Sequence, residues 1–278
     1  MAPEQDQERG DLLGVSTRTS IEIMALMHPS SHKKVGFCVP RRLWPQVRGT
    51  FLLLFVWVAT MARIARAQGP SAVLAPVSRE MLCITEGEIS QNADNRLSVN
   101  TSKMRAYVNG ETDPEAELHF AFLGPTGKDT PLGSGEMRRQ FGLKLLAEDA
   151  CNLLYVMWRI EPESRLVVSI KSNPGQHASA ECGNRGYRNI KPHHAAPVPA
   201  LQAGVPHALR AALKGEALRV FADGVLVWEG SIETEANHLH GPVGMRSDNA
   251  RLEFTLLVPS LGRVSSPTLP ACKKDVGD

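Results

Sequence analysis

Residues 218–230 read LRVFADGVLVWEG, and this stretch decides the fold class. Leu218 to Phe221 and Val225 to Trp228 are two strand-like runs, joined through Ala222, Asp223 and Gly224. An Asp-Gly pair suits the positive φ angles of a tight hairpin turn, so the two runs are expected to pair as antiparallel neighbours. Downstream, residues 241–257 read GPVGMRSDNARLEFTLL, in which Leu252, Phe254 and Leu256 alternate and Val258 continues the pattern. Upstream, Leu118, Phe120 and Phe122 alternate with polar or small neighbours, as do Phe141, Leu143 and Leu145. This period of two is the mark of half-buried strands. Leu153 to Ile160 (LLYVMWRI) is apolar on both faces, as a strand covered on each side would be, and Leu166, Val168 and Ile170 follow a Pro-containing turn. That is a hairpin near a sheet centre. No window after Ala67 holds a period of 3.6 through three helical turns, so the expected class is all-β, an antiparallel β-sandwich of the jelly-roll kind.

The two quoted stretches also carry a resemblance. A strand, an Asp-Gly hairpin, a second strand, a Gly-x-x-Gly approach and a final LEF strand over about residues 216–258 resemble the closing strands of the concanavalin A-like lectin/glucanase superfamily, with its laminin-G-like jelly rolls. The resemblance implies a sandwich built for sugar binding, glycan cleavage or adhesion, and the fold by itself does not choose among them.

The chain has 278 residues and a formal net charge of +2, but the charge is unevenly placed. Up to Ala67 there are nine Lys/Arg against five Asp/Glu, which leaves 22 against 24 in the remainder, a slightly acidic body. Without a clustered run of Lys/Arg after Ala67, nucleic acid is not an expected partner. The basic excess precedes the apolar run Phe51 to Thr60 (FLLLFVWVAT), and Ala65-Arg66-Ala67 follows it. Charged, apolar, then small-x-small is the order of a signal peptide, and the apolar core is shorter than the roughly 18 residues that span a bilayer. The expected organisation is a leader over 1–67 (translation starting at Met1 or at Met27), an N-terminal segment of the sandwich over 68–103, a core over 104–258, and a Ser/Pro-rich tail over 259–278. Cleavage after Ala67 predicts an exported protein with no stable membrane anchor; a retained anchor is the alternative.

Cysteine usage agrees with an oxidising compartment. Apart from Cys38 in the leader there are Cys83, Cys151, Cys182 and Cys272, an even number that can pair in three ways. Pairing Cys151 with Cys182 closes a loop of roughly 30 residues, worth about 3 kcal/mol, and leaves Cys83 for Cys272. Zinc is the competing use, but no Cys-x-x-Cys pair is present.

The function expected from these features is a non-catalytic carbohydrate-binding or adhesion module, with a jelly-roll glycan hydrolase as the alternative. For binding, Asn184, Arg185 and Tyr187 combine amide, guanidinium and phenol on a Gly-rich stretch, and Arg246 and Asp248 follow directly after the Gly-x-x-Gly segment. For catalysis, Glu111-Thr112-Asp113-Pro114-Glu115 resembles the Glu-x-Asp-x-Glu strand of jelly-roll β-glucanases, whose carboxylates serve as nucleophile, helper and acid/base. Glycan hydrolysis with retention needs two carboxyls roughly 5 Å apart. Pro114 and the preceding Asn109-Gly110 predict instead a solvated turn. His193, His194, His238 and His240 carry no third ligand at metal-site spacing, and no metal is expected from them. Asp248-Asn249 admits calcium, as in some laminin-G-like domains; no other cofactor is indicated.

Overall fold

The computed structural model describes residues 73–232, 236, 238–259 and 272, all within the second of the two units into which the chain divides, Gln68–Asp278. The leader and nearly all of the C-terminal tail lie outside the described residues. The described residues form an antiparallel β-sandwich, as the alternating pattern predicts.

The larger sheet has nine strands. From one edge these are β11 (His194–Ala195), β14 (Val225–Ser231), β13 (Ala217–Ala222), β12 (Pro206–Lys214), β6 (Glu115–Pro125), β16 (Ala250–Pro259), β4 (Leu97–Val99) and β3 (Ser90–Gln91), with β1 (Leu74–Pro76) pairing beside β16. The smaller sheet has seven strands, in the order β10 (Tyr187–Asn189), β9 (Arg165–Lys171), β8 (Leu153–Glu161), β7 (Arg139–Leu145), β15 (Gly244–Asp248), β5 (Lys103–Val108) and β2 (Leu82–Glu86). The one α-helical turn among the described residues is α1 (Ser179–Cys182). The Asp-Gly hairpin forms as expected: Asp223 and Gly224 have φ of 50° and 78°, and β13 and β14 pair on either side.

Alternate residues of both sheets meet between them. Ala116, Leu118 and Phe120 of β6 and Leu252, Phe254 and Leu256 of β16 face Phe141, Leu143, Leu145, Leu154, Val156 and Trp158, all in one buried cluster. Phe120 bridges the layers, its ring 4.5 Å from Phe141 and 5.6 Å from Trp158. Trp158 is therefore core.

The chain passes from the smaller sheet to the larger at Asn249, between β15 and β16. Its φ is 56°, a left-handed conformation that asparagine tolerates better than most residues. The side chain binds Thr130 through both N–H and carbonyl, and the Arg138 carbonyl, so it also pins the long connection between β6 and β7. The residue read from sequence as a calcium ligand thus holds a sheet crossing and a loop.

Two disulfides form, Cys151–Cys182 and Cys83–Cys272. They fit an oxidising compartment. No helix among the described residues is long and apolar enough to cross a membrane.

Candidate functional site

The smaller sheet turns every second residue of its strands away from the core, and the pairing registers line these residues up in rows. Arg165, Arg159, Gln140, Asp248 and Lys103 stand opposite one another across β9, β8, β7, β15 and β5. Val167, Met157, Gly142, Arg246 and Arg105 make the next row, and Ser169, Tyr155, Lys144, Gly244 and Tyr107 the third. The outer face of this sheet is therefore polar and cationic where an ordinary sandwich face is solvated or plainly covered.

Two loops wall it. The β6–β7 connection is tied down by Asn249 and by the Arg139–Asp129 ion pair at 2.7 Å. The β9–β10 connection, which contains α1, is tethered by the Cys151–Cys182 disulfide and by Asn152, whose amide oxygen accepts the Asn173 N–H at 2.8 Å. Asp149 supports the same loop: it accepts from the Cys151 N–H and from Asn152, and its other oxygen lies 2.7 Å from His177 Nδ1. That hydrogen bond and the charge of Asp149 raise the His177 pKa above the ordinary histidine value. The two loops approach each other over the sheet, where a Cβ at Gly133 would stand 3.0 Å from Asn184 Oδ1. They divide the face into a groove of about 290 Å³ floored by β7, β8 and β9, and one of about 270 Å³ toward β5. Leu132, Asn184, Tyr187 and Arg246 line both.

The floor is electrostatically ordered around Asp248, which is fully buried. Arg105 Nη2 lies 2.7 Å from one carboxylate oxygen; Arg246 Nε at 2.9 Å and Gln140 Nε2 at 2.8 Å donate to the other. Burial pushes the Asp248 pKa up, but the two guanidinium charges and the Gln140 amide outweigh it and hold the carboxyl below the ordinary aspartate range. It is a buried acceptor engaged by two guanidinium groups and an amide. Among the described residues no group of three or more His, Cys, Asp or Glu converges as a metal site would need.

Aromatic rings complete the floor. Arg246 lies over the Tyr155 ring, 5.0 Å from its centroid, and Tyr155 stacks on Tyr187 at 5.9 Å. Lys171 Nζ donates to the Ala150 carbonyl at 2.8 Å and stands 5.2 Å from the Tyr187 centroid, while Arg246 Nη1 is 3.3 Å from the Tyr187 hydroxyl. Tyr187 itself remains 41% exposed. A large, half-exposed ring whose position is fixed by a cation and a second ring is a preorganised surface for stacking.

Of the residues proposed for binding from the sequence, the structure brings Asn184, Tyr187 and Arg246 to the groove, with Asp248 beneath as the charge that positions Arg246. Arg185 turns back on its own loop and donates to the carbonyls of Cys182 and Glu181. The acidic string lies elsewhere. Glu111 and Asp113 are exposed in the connection before β6, while Glu115 opens β6 on the outer side of the larger sheet, buried and bonded to Arg210 Nε at 3.1 Å. The predicted solvated turn therefore ends at Pro114, one residue short of Glu115. Pairing with Ala212 of β12 brings Glu115 into the ladder and Arg210 offsets its charge, whereas Pro114 sits ahead of the strand, where its missing N–H costs nothing. Sequence reasoning missed Arg105, Gln140, Tyr155, Arg159 and Lys171. The available signal was an arginine and a tyrosine inside a run read as buried on both faces.

No family profile and no curated protein matches the sequence. Among solved structures, a carbohydrate-binding module, CBM66, from Bacillus subtilis is similar with a TM-score of 0.42 and 11% identity, over 63% of this chain and 91% of that one. The carbohydrate recognition domain of Emp46p, in its metal-free form, has a TM-score of 0.41 and 11% identity, over 66% of this chain and 90% of that one. The Crh5 transglycosylase in complex with NAG has a TM-score of 0.41 and 11% identity, over 69% of this chain and 85% of that one.

Proposed function

We propose that this protein is a glycan-binding module of the concanavalin A-like kind, exported after removal of residues 1–67, and that it holds a saccharide in the groove on the outer face of its smaller sheet. The observation that carries this reading is Tyr187: an aromatic ring 41% exposed at the groove, in contact with Lys171 and Tyr155, in a groove that Asn184, Gln140 and Ser169 also line. A sugar ring offers an apolar C–H face to such a ring and hydroxyls to amides and hydroxyls around it. Hydrolysis would require two carboxyls flanking the bond. Among the described residues each of the two compartments that Tyr187 lines holds one carboxyl, Glu136 paired with Arg138 in the one and Glu86, 3.9 Å from Arg105, in the other.

A glycan array probed with the purified chain tests the reading, followed by titration of the best sugar into wild type and Tyr187→Ala. Binding that falls about tenfold or more in the variant supports it, that being the size of one good stacking contact. Retention of no glycan on the array overturns it, and release of cleaved product from a bound glycan overturns its non-catalytic part.

A further inference from the structure

Arg159 is a buried cation on this face with no ion-pair partner among the described residues. It sits near the C-terminal end of β8, 7% exposed, and lines the groove. Its Nε has no hydrogen-bond partner among the described residues. The charges that act on it are two arginines, Arg138 and Arg165, and two glutamates, Glu136 and Glu163. Each glutamate is already engaged with one of those arginines, Glu136 with Arg138 and Glu163 with Arg165. The local pairs cancel and the charge of Arg159 remains. Desolvation, then repulsion by Arg138 and Arg165, lowers its pKa, yet a guanidinium does not give up its proton in a protein. A buried charge left in this state is costly unless something supplies the opposite charge.

The rest of the groove has the same sign. Arg138 and Arg246 line the compartment that Arg159 lines, and Lys103, Arg105 and Lys171 line the other, against Glu136 and Glu86. The body of the chain after Ala67 has slightly more acidic than basic residues, so this excess is local. We infer that the saccharide held here is acidic, carrying a carboxylate or sulfate group that the Arg159 guanidinium takes as a bidentate partner. The inference rests on the glycan-binding reading above. A guanidinium fork matches a planar carboxylate or a sulfate edge through two parallel N–H···O bonds, and in a desolvated groove such a bond is about twice as strong as a neutral one. A short, walled groove whose guanidinium groups Arg159 and Arg246 are buried, Arg246 already paired with Asp248, favours a charged sugar over a nucleic acid, whose phosphates are met by exposed rows of cations.

The test is calorimetric titration of the full chain with oligosaccharides of galacturonate, of glucuronate and of sulfated galactose, each beside the same backbone with its carboxyl reduced or its sulfate removed. At least one acidic sugar is expected to bind about tenfold or more tightly than its neutral counterpart, a preference that weakens as salt rises. Arg159→Gln should abolish the preference, Arg159→Lys should keep part of it, and Arg165→Gln, on the exposed arginine of the same row, should leave it intact. Circular dichroism reports whether each variant folds; if Arg159→Gln does not, Arg159→Lys and the salt series carry the comparison. Equal binding of acidic and neutral sugars overturns the inference and leaves the glycan reading standing. Binding of neither, with an empty array, takes the glycan reading with it. An unchanged preference in Arg159→Gln overturns the assignment to Arg159, and oligothymidylate bound as tightly as the acidic sugar overturns the choice of ligand class.

Discussion

Asp248 shows how much one residue organises. Its carboxylate collects Arg105 and Arg246, which come from two neighbouring strands, and Gln140 from a third, so the groove floor is one connected network. Removing the carboxylate leaves two buried guanidinium groups facing an amide, and Asp248→Asn is expected to destabilise the fold by about 3 to 5 kcal/mol, measured by denaturant unfolding. The pH dependence follows from the depressed carboxyl pKa. Such a group contributes stability above the unfolded-state value of about 3.9, and the contribution is lost as pH falls toward the folded-state value. Acid melts of wild type should therefore fall more steeply below about pH 4 than those of Asp248→Asn, and the gap between the two should narrow on acidification. Parallel curves would show that the pair is not formed. At this scale the sequence is only partly legible: Asp248 and Arg246 stand two apart and were recognisable as a polar pair, but Arg105 is more than a hundred residues away.

At the scale of the element, the β9–β10 connection decides whether Tyr187 has an address. It is held by the Cys151–Cys182 disulfide and by close packing of Gly186 on Ser172 and Asn173, where its two ends meet. Gly186 has φ of 78°, and a Cβ there would stand 2.4 Å from the Ser172 carbonyl oxygen and 2.3 Å from the Asn173 amide. Gly175, in the same connection, has the same φ of 78° with nothing within 4 Å. The pair makes a controlled comparison. Gly175→Ala should cost only the left-handed strain, about 1 to 2 kcal/mol, with glycan affinity unchanged. Gly186→Ala adds backbone overlap next to Tyr187, so it should cost more in thermal unfolding and weaken binding as well. Equal effects of the two substitutions on both measurements would mean that the loop does not position Tyr187. The Gly-rich string 183–186 was visible in the sequence as a turn-former, but which glycine is sterically required depends on Ser172 and Asn173.

For the whole molecule, the disulfides and the proposed leader make a joint prediction readable by intact mass. The exported protein should begin at Gln68 and carry four cysteines in two disulfides, so it should take up no alkylating reagent before reduction and four equivalents after it. Cys38 leaves with the leader. A fifth alkylation, or a mass that includes residues 1–67, would show a retained segment. Replacing Cys151 and Cys182 together should lower stability by about 3 kcal/mol, because the loop they close regains its freedom in the unfolded chain.

The sequence by itself determined the class of fold, because a period of two in apolar side chains and an Asp-Gly turn are local features, written in consecutive residues. LRVFADGVLVWEG became the β13–β14 hairpin, LEFTLLV became β16, and LLYVMWRI became the two-faced strand β8. What the tertiary structure alone decided is the polarity of one face. Arg105, Arg159, Lys171 and Arg246 are widely separated in the chain, none in a basic run, and the charge after Ala67 sums to slightly negative. They gather because each occupies an outward position on a different strand, and the order β9, β8, β7, β15, β5 sets those strands side by side. Sheet order is set by long-range pairing, which local sequence does not encode, and so a basic groove could form in an acidic body without leaving a basic run to read.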